Sequence, residues 1–292
     1  MNRHFKWQVM VPYIFLLPQL LLVGAFAFYP LVYNLILSFQ DVGMISRGFV
    51  GLDQYSLLLK DEIFWTSLKN TIYYTIGTVP LTTIVALLAA FALNQQIAGK
   101  KFLRTVYLFP YLISWVVIGL VWQWMYSTNY GIFNHLLNLV GLPGLRWLQD
   151  PKMTIPSIII ASVWHDLGYY MVIFLAGLQS ISPIYYEASM IDGANKWDQF
   201  RRITLPLLKP ILFIVLVLSM INAFKVFDQI YVMTGGGPGR ASLMLVNYIL
   251  SVALTEMRLS YAAAISIVLF IIIMILTVLQ RVFFKDSDTE VA

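Results

Sequence analysis

The run LSYAAAISIVLFIIIMILTVLQ, residues 259–280, decides the architecture. It contains no charged side chain and is bounded by Arg258 and Arg281. A helix rising about 1.5 Å per residue crosses the hydrocarbon core of a bilayer in about 20 apolar residues. Working outward from this run, five further stretches are long and mostly apolar: residues 7–40, 70–99, 105–126, 153–179 and 210–234. The fourth is interrupted by His165 and Asp166. The whole chain agrees with its parts. Of 292 residues, 60% are hydrophobic and 11% charged, and the mean hydropathy is +0.77. A soluble domain of that composition would expose large apolar patches, and a disordered chain needs low hydrophobicity. The expectation is an all-α membrane protein of about six transmembrane helices, because a lipid-exposed backbone must satisfy its own hydrogen bonds.

The chain has no cysteine, which excludes disulfide frameworks, thiolate metal sites and cysteine nucleophiles. Its three histidines, His4, His135 and His165, are too scattered for a metal cage. The formal charge of +5 does not point to nucleic acid, because Lys and Arg mark the cytoplasmic side of a membrane protein. With the N-terminus inside, eleven Lys and Arg fall on inner segments and seven on outer ones, so both termini are expected in the cytoplasm. Arg3, Lys6 and the Ala25-Phe26-Ala27 triplet imitate a signal peptide, but the apolar run continues past that site, and an uncleaved first helix is expected. Residues 241–255 are too short to span and are expected as an outer interfacial or re-entrant helix. Residues 131–140 read as a short outer amphipathic helix. The whole chain, 1–292, is expected to form one transmembrane domain.

One inner loop is longer than a connector needs. Residues 180–209 hold Ser182 at an N-cap position, Pro183 at the first helical position and Gly193 as a breaker, then a second short helix with Trp197, Phe200 and Ile203 along one side. Leu205-Pro206 ends that helix. Such a helix–Gly–helix unit lies on lipid headgroups or fits the groove of a soluble partner.

Glu187-Ala188-Ser189, Gly193 and the later Ile203-Thr204-Leu205-Pro206 resemble the EAA loop of ABC importer permeases. Ile191-Asp192-Gly193-Ala194 resembles the carbohydrate subgroup, of the maltose and glycerol-phosphate type. Ser189 departs from the Ala usual there. Phe227-Asp228 with the segment 231–238, Trp164 with Gly168 and 176–179, and the segment 49–55 are similar to the same subgroup. The resemblance implies a type I ABC importer permease fold and a prokaryotic plasma (inner) membrane. It also implies a second related permease, two cytoplasmic ATPase subunits that hold ATP and Mg, and an extracytoplasmic solute-binding protein. It makes residues 180–209 the coupling loop. There Glu187, Asp192, Arg201 and Arg202 would make charged contacts, Trp197 and Phe200 apolar ones, and Gly193 would set the angle; Ala188, Ser189, Ala194, Ile203, Leu205 and Pro206 belong to the same loop. Trp197 and Phe200 have an alternative use, packing under the loop.

Asp166 stands mid-span, where a carboxylate costs about 2.5–3.5 kcal/mol, so it is expected to face a cavity or a partner. Ser162, Tyr169 and Tyr170 share its helical face. This face reads as a solute path, as a structural hydrogen bond, or, through His165, as a proton relay. Ser219, Asn222, Lys225 and Gln229 form a second polar stripe suited to carbohydrate hydroxyls, although Lys225 could instead pair with Asp228 or snorkel. Trp115, Trp122 and Trp124 read as an interfacial belt.

The glycine-rich segment 235–240 lacks the Gly-Lys-Ser/Thr ending of a phosphate loop, and neither HExxH nor GxSxG occurs. No catalytic constellation is present in the sequence, and no cofactor or metal is expected on this chain. The reading is one permease half of a binding-protein-dependent importer for a carbohydrate. The alternatives are an ion-coupled secondary transporter, which rests on Asp166 alone, and an intramembrane enzyme.

Overall fold

The computed structural model describes residues 3–42, 48–95 and 97–285, with the side chains of 3–10, 14 and 285 left undescribed. Arg47 and the side chains of Arg3, Lys6 and Lys285, all used for orientation, lie outside that description.

Among the described residues the regular structure is helical, apart from a two-residue antiparallel ladder pairing Gln40–Asp41 with Gly48–Phe49. The helices are α1 (Arg3–Val23), α2 (Tyr29–Ser38), α3 (Asp53–Leu59), α4 (Glu62–Asn94), α5 (Lys100–Leu112), α6 (Trp115–Met125) and α7 (Ile132–Leu139). They continue with α8 (Thr154–Ser180), α9 (Pro183–Ile191), α10 (Lys196–Gln199), α11 (Leu205–Leu207), α12 (Lys209–Phe224), α13 (Asp228–Met233), α14 (Leu245–Leu250) and α15 (Leu259–Lys285). Four stretches are long and apolar enough to cross a membrane: Val11–Ser38, Glu62–Asn94, Thr154–Ser180 and Leu259–Phe284. Two bent pairs, Lys100–Leu112 with Trp115–Met125 and Lys196–Leu207 with Lys209–Phe224, raise the number to six.

Several expectations need adjustment. The third span is not one helix: α5 and α6 meet at 97° across Ile113 and Ser114. Pro110 lies near the end of α5, and Ser114 caps α6 by accepting from Val116 N. The fifth span also breaks, at Lys225–Phe227, so Gln229 belongs to α13 rather than to the face of α12. His165 and Asp166 do not interrupt α8, since their side chains find partners without disturbing the backbone ladder. The 241–255 helix begins only at Leu245, because Gly239 is left-handed and the chain to 242 is in turns.

Contacts group the chain into two compact units, Met1–Asp61 with Ile249–Phe270, and Glu62–Tyr248 with Ile271–Ala292. In the first, Val42 N donates to Ser260 Oγ (2.9 Å) and Tyr261 Oη to Asp61 Oδ2 (2.6 Å), tying the ladder and α3 to the start of α15. Phe15, Phe26 and Tyr29 on the first span are exposed, as an apolar helix facing lipid requires.

The second unit is built on α4, α8 and α12. Ala86, Ala90 and Leu93 of α4 meet Tyr170, Met171, Phe174, Leu175 and Leu178 of α8 and Val215 of α12 in one buried cluster. The alanines let backbones approach, as membrane helix packing demands. Gly168 takes this furthest: a Cβ there would lie 2.0 Å from the Tyr107 carbonyl oxygen of α5. Beyond α6 the chain forms a compact cap. Asn134, 4% exposed, donates to the carbonyls of Thr128 and Leu145 and accepts from Leu145 N and Trp147 Nε1. Rings of Trp122, Tyr126, Phe133 and Trp147 pack beside it. Of the three tryptophans expected as a belt, only Trp124 is outward-facing; Trp122 is buried in this cluster.

Candidate functional site: a polar cavity and an exposed loop

A cavity of about 670 Å³ opens within the second unit, between α4, the α5–α6 break, α8 and the α12–α13 break. That is the size of pocket that encloses a small solute. Each helix break exposes backbone and polar side chains that a straight helix would not. All six residues named for a solute path, Asp166, Tyr170, Ser219, Asn222, Lys225 and Gln229, line it. The break at Lys225–Phe227 is what brings Gln229 in, because it reorients the chain after α12.

The lining is partly wired to itself. Tyr74 Oη donates to Ser162 Oγ (2.8 Å) and accepts from Gln229 Nε2 (3.2 Å). Asn222 Nδ2 donates to Tyr170 Oη (3.2 Å). His165 Nδ1 and Asp166 Oδ1 are 2.6 Å apart, and Trp115 lies 4.0 Å from the His165 ring, centroid to centroid. Among the described residues, neither Lys225 nor Asp228 forms an ion pair, so the pairing weighed for them does not occur. Both are exposed at the break.

The sequence reading missed one wall. On α4, Tyr74, Thr78 and Thr82 recur at four-residue spacing and face the cavity. Thr71 and Thr75 return their hydroxyls to the preceding turn, whereas the Thr78 hydroxyl lies beside Tyr74 and the buried Thr82 hydroxyl has no hydrogen-bond partner among the described residues. Buried polar atoms are almost always paired, so Thr82 marks a place for a hydrogen-bonding guest. The signal was visible as the spacing 71, 75, 78, 82. Trp115 also lines the cavity rather than a membrane interface.

The loop expected at residues 180–209 is where α8 ends. Pro183 opens α9 at its first turn, with Ser182 at the N-cap, although the Ser182 hydroxyl makes no capping bond. Gly193 has φ 79°, with open space around a would-be Cβ. The α10 N-cap is Asn195, which accepts from Trp197 N and Asp198 N. A π-helical turn, Phe200–Thr204, follows. The two halves are tied together: Gln199 Nε2 donates to Ser189 Oγ (3.0 Å), and Tyr186 Oη lies 3.0 Å from Thr204 Oγ1. Ser189 therefore does more than fill the space of an alanine. Glu187, Ala188, Asp192, Trp197 and Arg201 are exposed. Ser189, Ala194, Phe200, Ile203, Leu205 and Pro206 are half-buried. Phe200 packs edge-on against Phe91 of α4 (5.5 Å), while Trp197 stacks on Phe200 but remains 67% exposed. Packing under the loop thus accounts for Phe200 and leaves Trp197 available.

Residues 82–287 match the family described as binding-protein-dependent transport system inner membrane component. A trehalose/maltose transport system permease protein of Thermococcus litoralis is 39% identical over 81% of this chain and 82% of its own length. A lactose transport system permease protein of Rhizobium radiobacter is 34% identical over 92% of both. Among solved structures, a chain of a bacterial alginate ABC transporter, in complex with its alginate pentasaccharide-bound periplasmic protein, superimposes with a TM-score of 0.82. It is 24% identical and covers 94% of this chain and 95% of its own, a likeness that shows the fold.

Proposed function

The chain belongs to the family of binding-protein-dependent transport system inner membrane components, and from that membership we propose that it is one permease half of an ABC importer for a carbohydrate. The membership favours this reading over an ion-coupled secondary transporter. The work of the chain is transport rather than catalysis. ATP and Mg belong, in this proposal, to two cytoplasmic ATPase subunits. A second permease completes the path and an extracytoplasmic binding protein delivers the solute. Both termini lie in the cytoplasm, and the whole chain acts as one transmembrane domain.

The observation that carries the reading is the helix α8. It presents Asp166 and Tyr170 to the cavity and runs without a break into the exposed loop. From Asp166 to Ser180 is a rigid lever of roughly 21 Å at 1.5 Å per residue. A displacement of the loop by an ATPase moves the cavity wall as a body. On this reading Glu187, Ala188, Asp192, Trp197 and Arg201 meet the ATPase and Gly193 sets the angle. The cavity supports a sugar: hydroxyls of Thr78, Thr82 and Ser219, the Asn222 amide and the Asp166 carboxylate supply acceptors and donors, and Trp115 supplies an aromatic face. Lipid surrounds the apolar exterior, and nucleic acid has no role.

Uptake by the complex reconstituted in vesicles tests this. Thr78→Val and Thr82→Val keep the shape and remove only a hydroxyl each from the cavity wall. They are expected to leave assembly intact and to raise the KM for sugar about three- to tenfold each, the loss of a neutral hydrogen bond. Unchanged sugar kinetics in both would remove the cavity from the solute path.

A further inference from the structure

In sequence His165 reads as an interruption of the fourth span and as half of a proton relay. In the structure it lines the cavity beside Asp166 and is otherwise enclosed. It is 3% exposed; Nδ1 faces Asp166 Oδ1 at 2.6 Å and Nε2 faces the Ile113 carbonyl oxygen at 3.3 Å. The rings of Trp115 and Tyr111 lie 4.0 and 5.7 Å away. A carbonyl oxygen only accepts, so Nε2 donates. Between Nδ1 and Asp166 Oδ1 one shared proton closes the second bond. The ring is held from both sides, against the aromatic faces of Trp115 and Tyr111.

Both partners matter to the cavity. Ile113 lies between α5 and α6, outside both helices, where a carbonyl lacks the partner a continuous helix would give it. In a membrane such an orphan must be satisfied from elsewhere. Asp166, on α8, lines the cavity, and the bond to His165 engages one of its oxygens and leaves Oδ2 outside that bond. Lys225 and Asp228 also line the cavity, from the α12–α13 break, without an ion pair to Asp166 or His165 among the described residues.

We propose that His165 is a positioning residue of the transport cavity: bonded through both ring nitrogens, it fixes the orientation of the Asp166 side chain toward the cavity and ties α8 to the bend between α5 and α6. The proposal rests on the cavity being the solute path. It predicts that His165 acts on solute through Asp166 and not by separate contact. A carboxylate held in one orientation binds a hydroxylated solute without first losing rotamer freedom.

Two measurements test it. The first is ¹⁵N NMR of the full chain, histidine-labelled, with His4→Asn and His135→Asn so that His165 is the single histidine. Both ring nitrogens are expected to show hydrogen-bonded resonances, and Asp166→Ala is expected to move the Nδ1 resonance and leave Nε2 in place. An Nδ1 resonance indifferent to Asp166→Ala overturns the proposal. The second is ATP-dependent uptake of radiolabelled trehalose, maltose, lactose and glycerol 3-phosphate by the reconstituted complex, followed with the solute imported fastest. His165→Gln and Asp166→Ala are each expected to raise KM about tenfold with kcat retained, and the double variant by no more than that. Additive effects, an unchanged KM, or loss of assembly alone would contradict positioning. If no member of the panel is imported, the carbohydrate reading fails, and the NMR result still decides the role of His165.

Discussion

Gly193 and Gly168 are both glycines for reasons of backbone, and the two reasons differ. Gly193 sits at φ 79° in open space. A side chain there meets no neighbour, but L-residues disfavour this conformation by about 1–2 kcal/mol. Proline, fixed near φ −65°, cannot adopt it at all. Gly193→Pro is therefore expected to abolish uptake while the spans still insert; vesicle transport set beside membrane yield checks it, and normal transport-coupled ATP turnover would refute it. Gly168 has ordinary dihedrals but lies against the α5 backbone, so its constraint is space. Gly168→Ala places a methyl 2.0 Å from the Tyr107 carbonyl oxygen, an atom of backbone that cannot rotate away. Overpacking of this kind costs about 1–3 kcal/mol, so the melting temperature of the detergent-purified chain is expected to fall by several degrees. An unchanged melting temperature would mean that α5 and α8 do not cross so closely.

At the scale of elements, the spans were legible because charge-free runs of about 20 residues have one physical outcome in a bilayer. Their breaks were not. Ile113 and Ser114 read as part of a continuous apolar run, in which hydropathy outweighs the local signals of Pro110 and Ser114. Lys225 was read as one member of a helical stripe, whereas it ends α12. The α4 threonines look alike in sequence; the structure distinguishes Thr71 and Thr75, bonded to their own turn, from Thr78 and Thr82, which line the cavity. The loop was legible because Pro183 and Gly193 punctuate it, yet the Ser189–Gln199 bond depends on a fold-back that no spacing rule gives. The cap beyond α6 depends on another such long-range device, Asn134. Its four hydrogen bonds make Asn134→Ala costly, since Leu145 N and Trp147 Nε1 would lose their acceptor. Proteolysis is expected to cut residues 127–150 of that variant faster than those of the parent. Equal rates would show that the ring cluster alone holds the cap.

For the whole molecule, the consequence of the architecture is that one element serves two sites. The cavity and the loop lie at separate points along α8, and the small residues that pack it, Gly168 against α5 and Gly177 against Ile211 and Leu208, leave little slack between it and its neighbours. A tightly packed body transmits a displacement; a loose one absorbs it. The proposal that the loop receives ATP-driven motion therefore needs no pathway finer than the helix itself. Because the chain has no cysteine, Ala188→Cys creates a unique attachment point on the exposed face of α9. The most direct measurement is photo-cross-linking from that cysteine in native membranes, with and without ATP. The expected product joins this chain to a cytoplasmic ATPase subunit, in a yield that changes with ATP. Cross-links to lipid or to a second copy of the chain alone, indifferent to ATP, would contradict the account.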